Sequence, residues 1–246
     1  MKPFLILQLR PIDAASENEF EAFLKYGGLR KEDVHRIRME KEGVPEIDLS
    51  KYAGIIEGGG PSNVSDPIAK KSKEQLRFEK ELQPLYDQIF EHDFPFLGAC
   101  YGIGSLADYS GTEVSRKKYA EPPGVVSVSL SEAASSDPLL SGIPKAFNAY
   151  VGHKEAVQEL PKGATLLASS ETCPIQMIRF KKNIYATQFH PELDFEGLSI
   201  RVGIYMYEGY FNAEDADKLL EANRKHIVDH PERILKNFVE RYKTKN

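Results

Sequence analysis

Short apolar runs alternate with longer helical repeats through roughly the first 110 residues. "FLILQL" (4–9) predicts a buried strand. "NEFEAFLKYGG" follows as a helix, with Phe20, Phe23 and Leu24 at i, i+3, i+4 and Gly27-Gly28 as its stop. "HRIRME" and "YAGIIEGGG" predict a second and a third strand. Over 73–92, Leu82, Leu85, Tyr86, Ile89 and Phe90 mark one face of a helix, and Pro84 is expected to kink it or to begin a new one. "FPFLGAC" predicts a fourth strand that runs straight into a glycine-rich turn. Strands alternating with helices assemble into a parallel sheet with helices on both faces.

From about residue 112 the pattern shifts towards period two. "GVVSVSL", "AFNAYVGH", "TLLASS", "PIQMIRF" and "NIYATQFH" predict hairpins and strands that close one side of the sheet. The C-terminal stretch returns to helix in "EDADKLLEANRKHIVDH" and "PERILKNFVERYK", with Leu219, Leu220, Ile227, Ile234, Leu235, Phe238 and Val239 facing inward. The expected architecture is α/β: a flavodoxin-like three-layer sandwich with a mostly parallel central sheet, helices on both faces, and a small antiparallel sheet near the C-terminal half. No repeat or low-complexity linker interrupts it. A single domain over 1–246 is expected, with a core at about 1–205 and a helical extension at about 206–246.

Composition narrows the function classes. A net charge of −5 argues against a nucleic-acid binder. Two cysteines, Cys100 and Cys173, make no disulfide framework and fit a reducing compartment. "MKPFLILQLRPID" reads as a first buried strand rather than a signal peptide. No run approaches the ~20 apolar residues of a membrane span. The expectation is a cytoplasmic protein with neither nucleic-acid nor membrane partners.

The chemistry starts in "GACYG". A strand ending in Gly98-Ala99, then Cys100, then Tyr101-Gly102 has the small-x-nucleophile-x-Gly pattern of a strand-to-helix elbow. Such a turn lifts the sulfur clear of the sheet and sets it at a helix N-terminus, which favours thiolate over thiol. A cysteine nucleophile needs an imidazole to take its proton and return it to the leaving group. His35, His92, His226 and His230 lie in charged or helix-end settings, and His153 is ambiguous. His190, in "IYATQFHPELD", is carried by an apolar strand that Pro191 ends. If strand direction persists through Pro191, Glu192 projects to the same side and can hold the imidazole's tautomer. "EGGGPSNV" is a third signal: an N–H there, with that of Tyr101, would form an oxyanion hole. Cys173, in "SETCPIQ", has no such setting and reads as structural.

Taken together, "GGGPS", "GACYG" and "QFHPE", in that order and each at a strand end, resemble the class I glutamine amidotransferases over about residues 1–205. The resemblance is strongest to the amidotransferase half of GMP synthetase and its free-standing relatives. It implies Cys100 as nucleophile, His190 as general base and acid, Glu192 as its orienter, and Gly60 and Tyr101 as oxyanion N–H donors. It also implies Gly59, Gly102, Gly104, His153, Glu155 and Gln188 as substrate-pocket candidates. The implied reaction is hydrolysis of the glutamine side-chain amide through a γ-glutamyl thioester, with no metal or organic cofactor and with a separate synthetase partner receiving the ammonia. Where the family commonly has glutamine four positions after the nucleophile, this chain has Gly104. That departure keeps two further readings open: a stand-alone γ-glutamyl peptide hydrolase, and a catalytically silent regulatory or binding subunit.

Overall fold

The computed structural model describes residues 2–243. Its strands are β1 (Phe4–Gln8), β2 (Val34–Arg38), β3 (Gly54–Glu57), β4 (Phe96–Ala99), β5 (Val114–Ser115), β6 (Glu121–Leu130), β7 (Ala146–His153), β8 (Ala156–Val157), β9 (Ala164–Ser170), β10 (Met177–Phe180) and β11 (Ile184–Thr187). Its α-helices are α1 (Asp13–Gly27), α2 (Met39–Glu42), α3 (Lys73–His92), α4 (Tyr101–Tyr109), α5 (Phe195–Tyr205), α6 (Ala216–Arg224) and α7 (Pro231–Tyr242).

One sheet has the order β2-β1-β3-β4-β11-β10-β9-β6-β7, and β5 pairs with β8 in a small antiparallel sheet. The strands from β2 to β11 are all parallel. The hairpin strands β10, β9, β6 and β7 extend the sheet antiparallel. Period-two alternation in β1 sorts its side chains between the two faces. Leu5 and Leu7 join α3 and α4 residues such as Phe78, Leu82 and Ile103. Phe4 and Ile6 join Phe20 and Phe23 of α1 and Ile234 and Phe238 of α7. Three layers result. The order β2-β1-β3-β4 and the parallel sense bring the C-terminal ends of β1, β3, β4 and β11 to one edge, where open α/β sheets bind ligands.

Two expectations are corrected here. Of the two readings of Pro84, the start of a new helix is excluded, since α3 runs through it. Ile227 does not face inward. It lies between α6 and α7 and is 75% exposed, whereas Ile234, Leu235, Phe238 and Val239 are buried against α1 and the sheet. The helical register simply stops before Ile227, so its side chain has no face to join. Leu219 and Leu220 are half-buried against α5 residues. No helix among the described residues is long and apolar enough to cross a membrane.

Glu57, at the end of β3, is completely buried and receives a hydrogen bond from the Tyr86 hydroxyl at 2.7 Å. Burial pushes its carboxyl up to about 7 from 4.5. Between those values the folded chain holds a proton that the unfolded chain has released, so stability falls as pH rises through that window. Glu57→Gln should therefore gain roughly 2–3 kcal/mol relative to wild type on going from pH 4.5 to pH 8. Urea denaturation at both pH values measures this, and an unchanged difference would count against a neutral buried Glu57.

Candidate active site

Cys100 caps the N-terminus of α4 with φ 54° and ψ −89°, a backbone region that L residues rarely occupy. Such strain costs on the order of 1–3 kcal/mol and persists where the surroundings enforce it. Here Cys100 N–H donates to Thr187 O at 2.7 Å, tying the turn to the end of β11. Gly98 explains the small residues: a Cβ there would lie 3.0 Å from Gly102 C and Cα, so helix and strand approach too closely for a side chain. The elbow read from "GACYG" is present.

Burial works against the expected thiolate. Cys100 keeps a partial opening, yet the protein packed around its sulfur pushes the thiol up to about 12, and Arg10 pulls the other way without overcoming this. Burial likewise lowers the His190 pKa, although Glu192 opposes it. Both shifts favour the neutral forms, thiol and imidazole.

His190 lies beyond β11, which stops at Thr187, so the strand does not carry it as the sequence suggested. Its backbone N–H donates instead to Tyr150 O at 3.0 Å. His190 Nδ1 lies 3.0 Å from Glu192 Oε1, and Arg201 NH1 donates to the same oxygen at 2.9 Å. Arg201 NH1 is also 3.2 Å from Nδ1. We assign the ring proton to Nδ1, because the carboxylate accepts there, leaving Nε2 as the acceptor. Burial alone would raise the Glu192 pKa, but His190 and Arg201 hold it well below the usual carboxylate range.

The glycine loop closes the site. A Cβ on Gly59 would lie 2.7 Å from His190 Cε1 and 3.2 Å from Cys100 Cβ, so ring and thiol carbon flank one glycine. A Cβ on Gly60 would meet Leu9 at 2.7 Å. Neither the Gly60 N–H nor the Tyr101 N–H has a hydrogen-bond acceptor among the described residues.

This constellation, at the carboxyl edge of a parallel sheet, coincides with a sequence match. Residues 13–197 fit the model of the glutamine amidotransferase class-I family. The chain belongs to that family. It is similar to a subunit of the glutamine-hydrolyzing GMP synthase of Thermoplasma volcanium, 32% identical over 166 residues, which cover 65% of this chain and 75% of that protein. It is also similar to the glutamine-hydrolyzing GMP synthase of Thermosipho africanus, 35% identical over 149 residues, 60% of this chain. There the match spans only 26% of the relative's length. The crystal structure of a glutamine amidotransferase from Thermotoga maritima has the same fold, with a TM-score of 0.76 at 21% identity and 98% of both chains covered.

In this family member the other pocket candidates converge only in part. Gly104, His153, Glu155 and Gln188 line one small cavity with Cys100. Gln188 Nε2 stands 4.0 Å from Cys100 Sγ. Glu155 is already engaged, accepting from Val64 N–H at 2.7 Å and Ser65 N–H at 2.8 Å. A Cβ on Gly104 would come 3.6 Å from Glu155 Oε1, so a longer side chain at 104 would project towards that carboxylate. Gly102 faces Glu57 rather than the cavity. His153 is held on both ring nitrogens, by Glu121 Oε2 at 2.7 Å and Glu155 O at 2.8 Å. Glu121, His153 and Cys173 bring possible metal-ligating atoms within 4.8 Å of one another, but hydrogen bonds already join Glu121 to His153 and Cys173 Sγ to Ile175 O.

Sequence reasoning missed a buried ionic cluster. Arg10 Nε donates to Glu19 Oε1 at 2.7 Å, and Gln8 Nε2 to Glu19 Oε2 at 2.8 Å. Arg201 NH2 lies 3.9 Å from the same Glu19. The available signals were a charge ending an apolar strand in "FLILQLR" and a lone arginine within "LSIRVGIY". Gly59→Ala places a methyl against His190 and Cys100, and should cut kcat/KM by about 100-fold. Steady-state kinetics check it, and near wild-type turnover would contradict the tight packing.

Proposed function

We propose that the chain is a cysteine amidohydrolase that cleaves the side-chain amide of glutamine or a related γ-glutamyl compound through a thioester on Cys100. The observation that carries this reading is His190, hydrogen-bonded to Glu192 and flanking the same glycine as Cys100. His190 Nε2 takes the thiol proton as Sγ attacks the amide carbon. A neutral thiol beside a neutral imidazole suits this coupled transfer, in which the proton leaves as the bond forms. The oxyanion gathers at the unpaired N–H groups of Gly60 and Tyr101. The C–N bond then breaks, His190 returns the proton to the departing nitrogen, and the amine or ammonia leaves. Water, deprotonated by His190, hydrolyses the thioester to glutamate and regenerates the thiol. Glu192 steadies the imidazolium in both halves. No step draws on a metal or organic cofactor.

The named relatives are a GMP synthase and a GMP synthase subunit, so ammonia delivery to a separate synthetase is the first role proposed for the reaction. A stand-alone γ-glutamyl hydrolase is the second, favoured by Gly104, where Glu155 occupies the neighbouring space. The deciding experiment incubates the purified chain with glutamine and γ-glutamyl dipeptides, following released ammonia and amine, with Cys100→Ser as blank. A γ-glutamyl chloroketone is added in parallel to label the thiol. No turnover and no adduct on Cys100 would leave only the reading of a catalytically silent protein.

A further inference from the structure

Cys100 stands between two cavities that share Gly60, Gly152 and Tyr210 in their walls. One, of about 20 Å³, contains Tyr101, Gln188 and Glu155. The other, of about 50 Å³, contains His190, Arg10 and Arg201. The proton donor to the departing nitrogen must lie on the departing group's side of the scissile bond. On the proposed reaction, on which this inference rests, the acyl part then belongs to the Tyr101 side and the leaving group to the His190 side.

That second cavity is poorly suited to ammonia. A water-sized occupant needs only about 10–15 Å³, so ~50 Å³ has room for several heavy atoms. Its walls include Val151, Leu198, Val202 and Phe211, which favour an apolar body over a lone polar molecule. Arg201 is 7% exposed, and its Nε and NH2 have no hydrogen-bond partner among the described residues. Its NH1 bonds to Glu192 and lies beside His190, while NH2 has only the longer ionic contact of 3.9 Å to Glu19. Buried guanidinium N–H groups left unpaired are costly, and a carboxylate satisfies two of them at once. Arg10 adds a second positive charge to the same wall, pairing with Glu19 through Nε. Glu19 and Glu192 balance the two guanidiniums, so the wall's attraction for a carboxylate rests on the unpaired Arg201 N–H groups.

We propose that this cavity is a leaving-group subsite that takes a small amine bearing a carboxylate, such as an amino acid, with the carboxylate on Arg201 and the short side chain among Leu198, Val202 and Phe211. The substrate class is then γ-glutamyl amino acids of small side chain, with glutamine a poorer substrate. The enzyme would act after a reaction that joins a glutamate γ-carboxyl to an amino acid.

Wild-type turnover is measured on glutamine, γ-glutamyl-alanine and γ-glutamyl-alaninamide, the last differing from the second only by loss of the carboxylate. The expected result is a kcat/KM for γ-glutamyl-alanine about tenfold or more above both others. Equal rates for acid and amide, or glutamine as best substrate, overturn the subsite while leaving the thioester reaction intact. Binding of γ-glutamyl-alanine and its amide to Cys100→Ser is measured in parallel by calorimetry. If wild type turns over nothing, but the variant still binds the acid about tenfold more tightly than the amide, the reaction fails and the subsite stands. Indistinguishable binding, or none, overturns it.

Discussion

Cys100→Ser is expected to lower turnover by about 10⁴-fold or more while leaving the urea midpoint unchanged. The size follows from the electrostatics around the sulfur. The thiol is already pushed up to about 12 by the protein packed around it, so catalysis relies on sulfur's nucleophilicity and on proton transfer during attack. A serine hydroxyl is a weaker acid and a poorer nucleophile in the same enclosure. The fold should hold, because serine tolerates φ 54° about as well as cysteine does, and the N–H bond to Thr187 O is retained. Mass spectrometry during turnover adds a second readout: a mass gain of one γ-glutamyl group in the wild type, absent from the variant. Substantial residual turnover would mean that Cys100 is not the attacking atom.

Glu192→Gln should cost nearly as much activity, about 10³–10⁴-fold in kcat, by letting His190 adopt the wrong tautomer. It should also destabilise the fold by about 3 kcal/mol, which loss of a surface-exposed orienter would not do. Glu192 is completely buried and accepts from Arg201 as well as His190, so its loss strands a buried guanidinium. Adding Arg201→Met should recover most of the stability and none of the activity. Urea denaturation and steady-state kinetics on the two variants separate these effects. A single variant as stable as wild type would show that the Arg201–Glu192 pair contributes little to the fold.

The candidate site was legible as far as local pattern reaches. Small residues around Cys100 follow from the closeness of Gly98 to Gly102, a constraint written into a few consecutive positions. Glu192 two residues after His190 was also readable, although a continuing strand is not what aligns the two side chains. Pro84 and Ile227 show the limits in the other direction. A breaker residue was accommodated within α3, and an apolar residue was left outside α6 and α7. In both cases the surroundings, absent from any single window of sequence, had the final effect.

By itself, the sequence determined the parallel strands with helices on both faces and the three motifs, because alternation and turn chemistry act between neighbours in sequence. The two-residue strands β5 and β8 were not legible in it. Tertiary structure alone decided the desolvation of Cys100, the convergence of Arg10, Glu19 and Arg201, and the two cavities beside the sulfur. Desolvation and charge pairing depend on which groups share a volume. Residues 10, 100 and 201 share one only after β1, β4 and α5 have packed together.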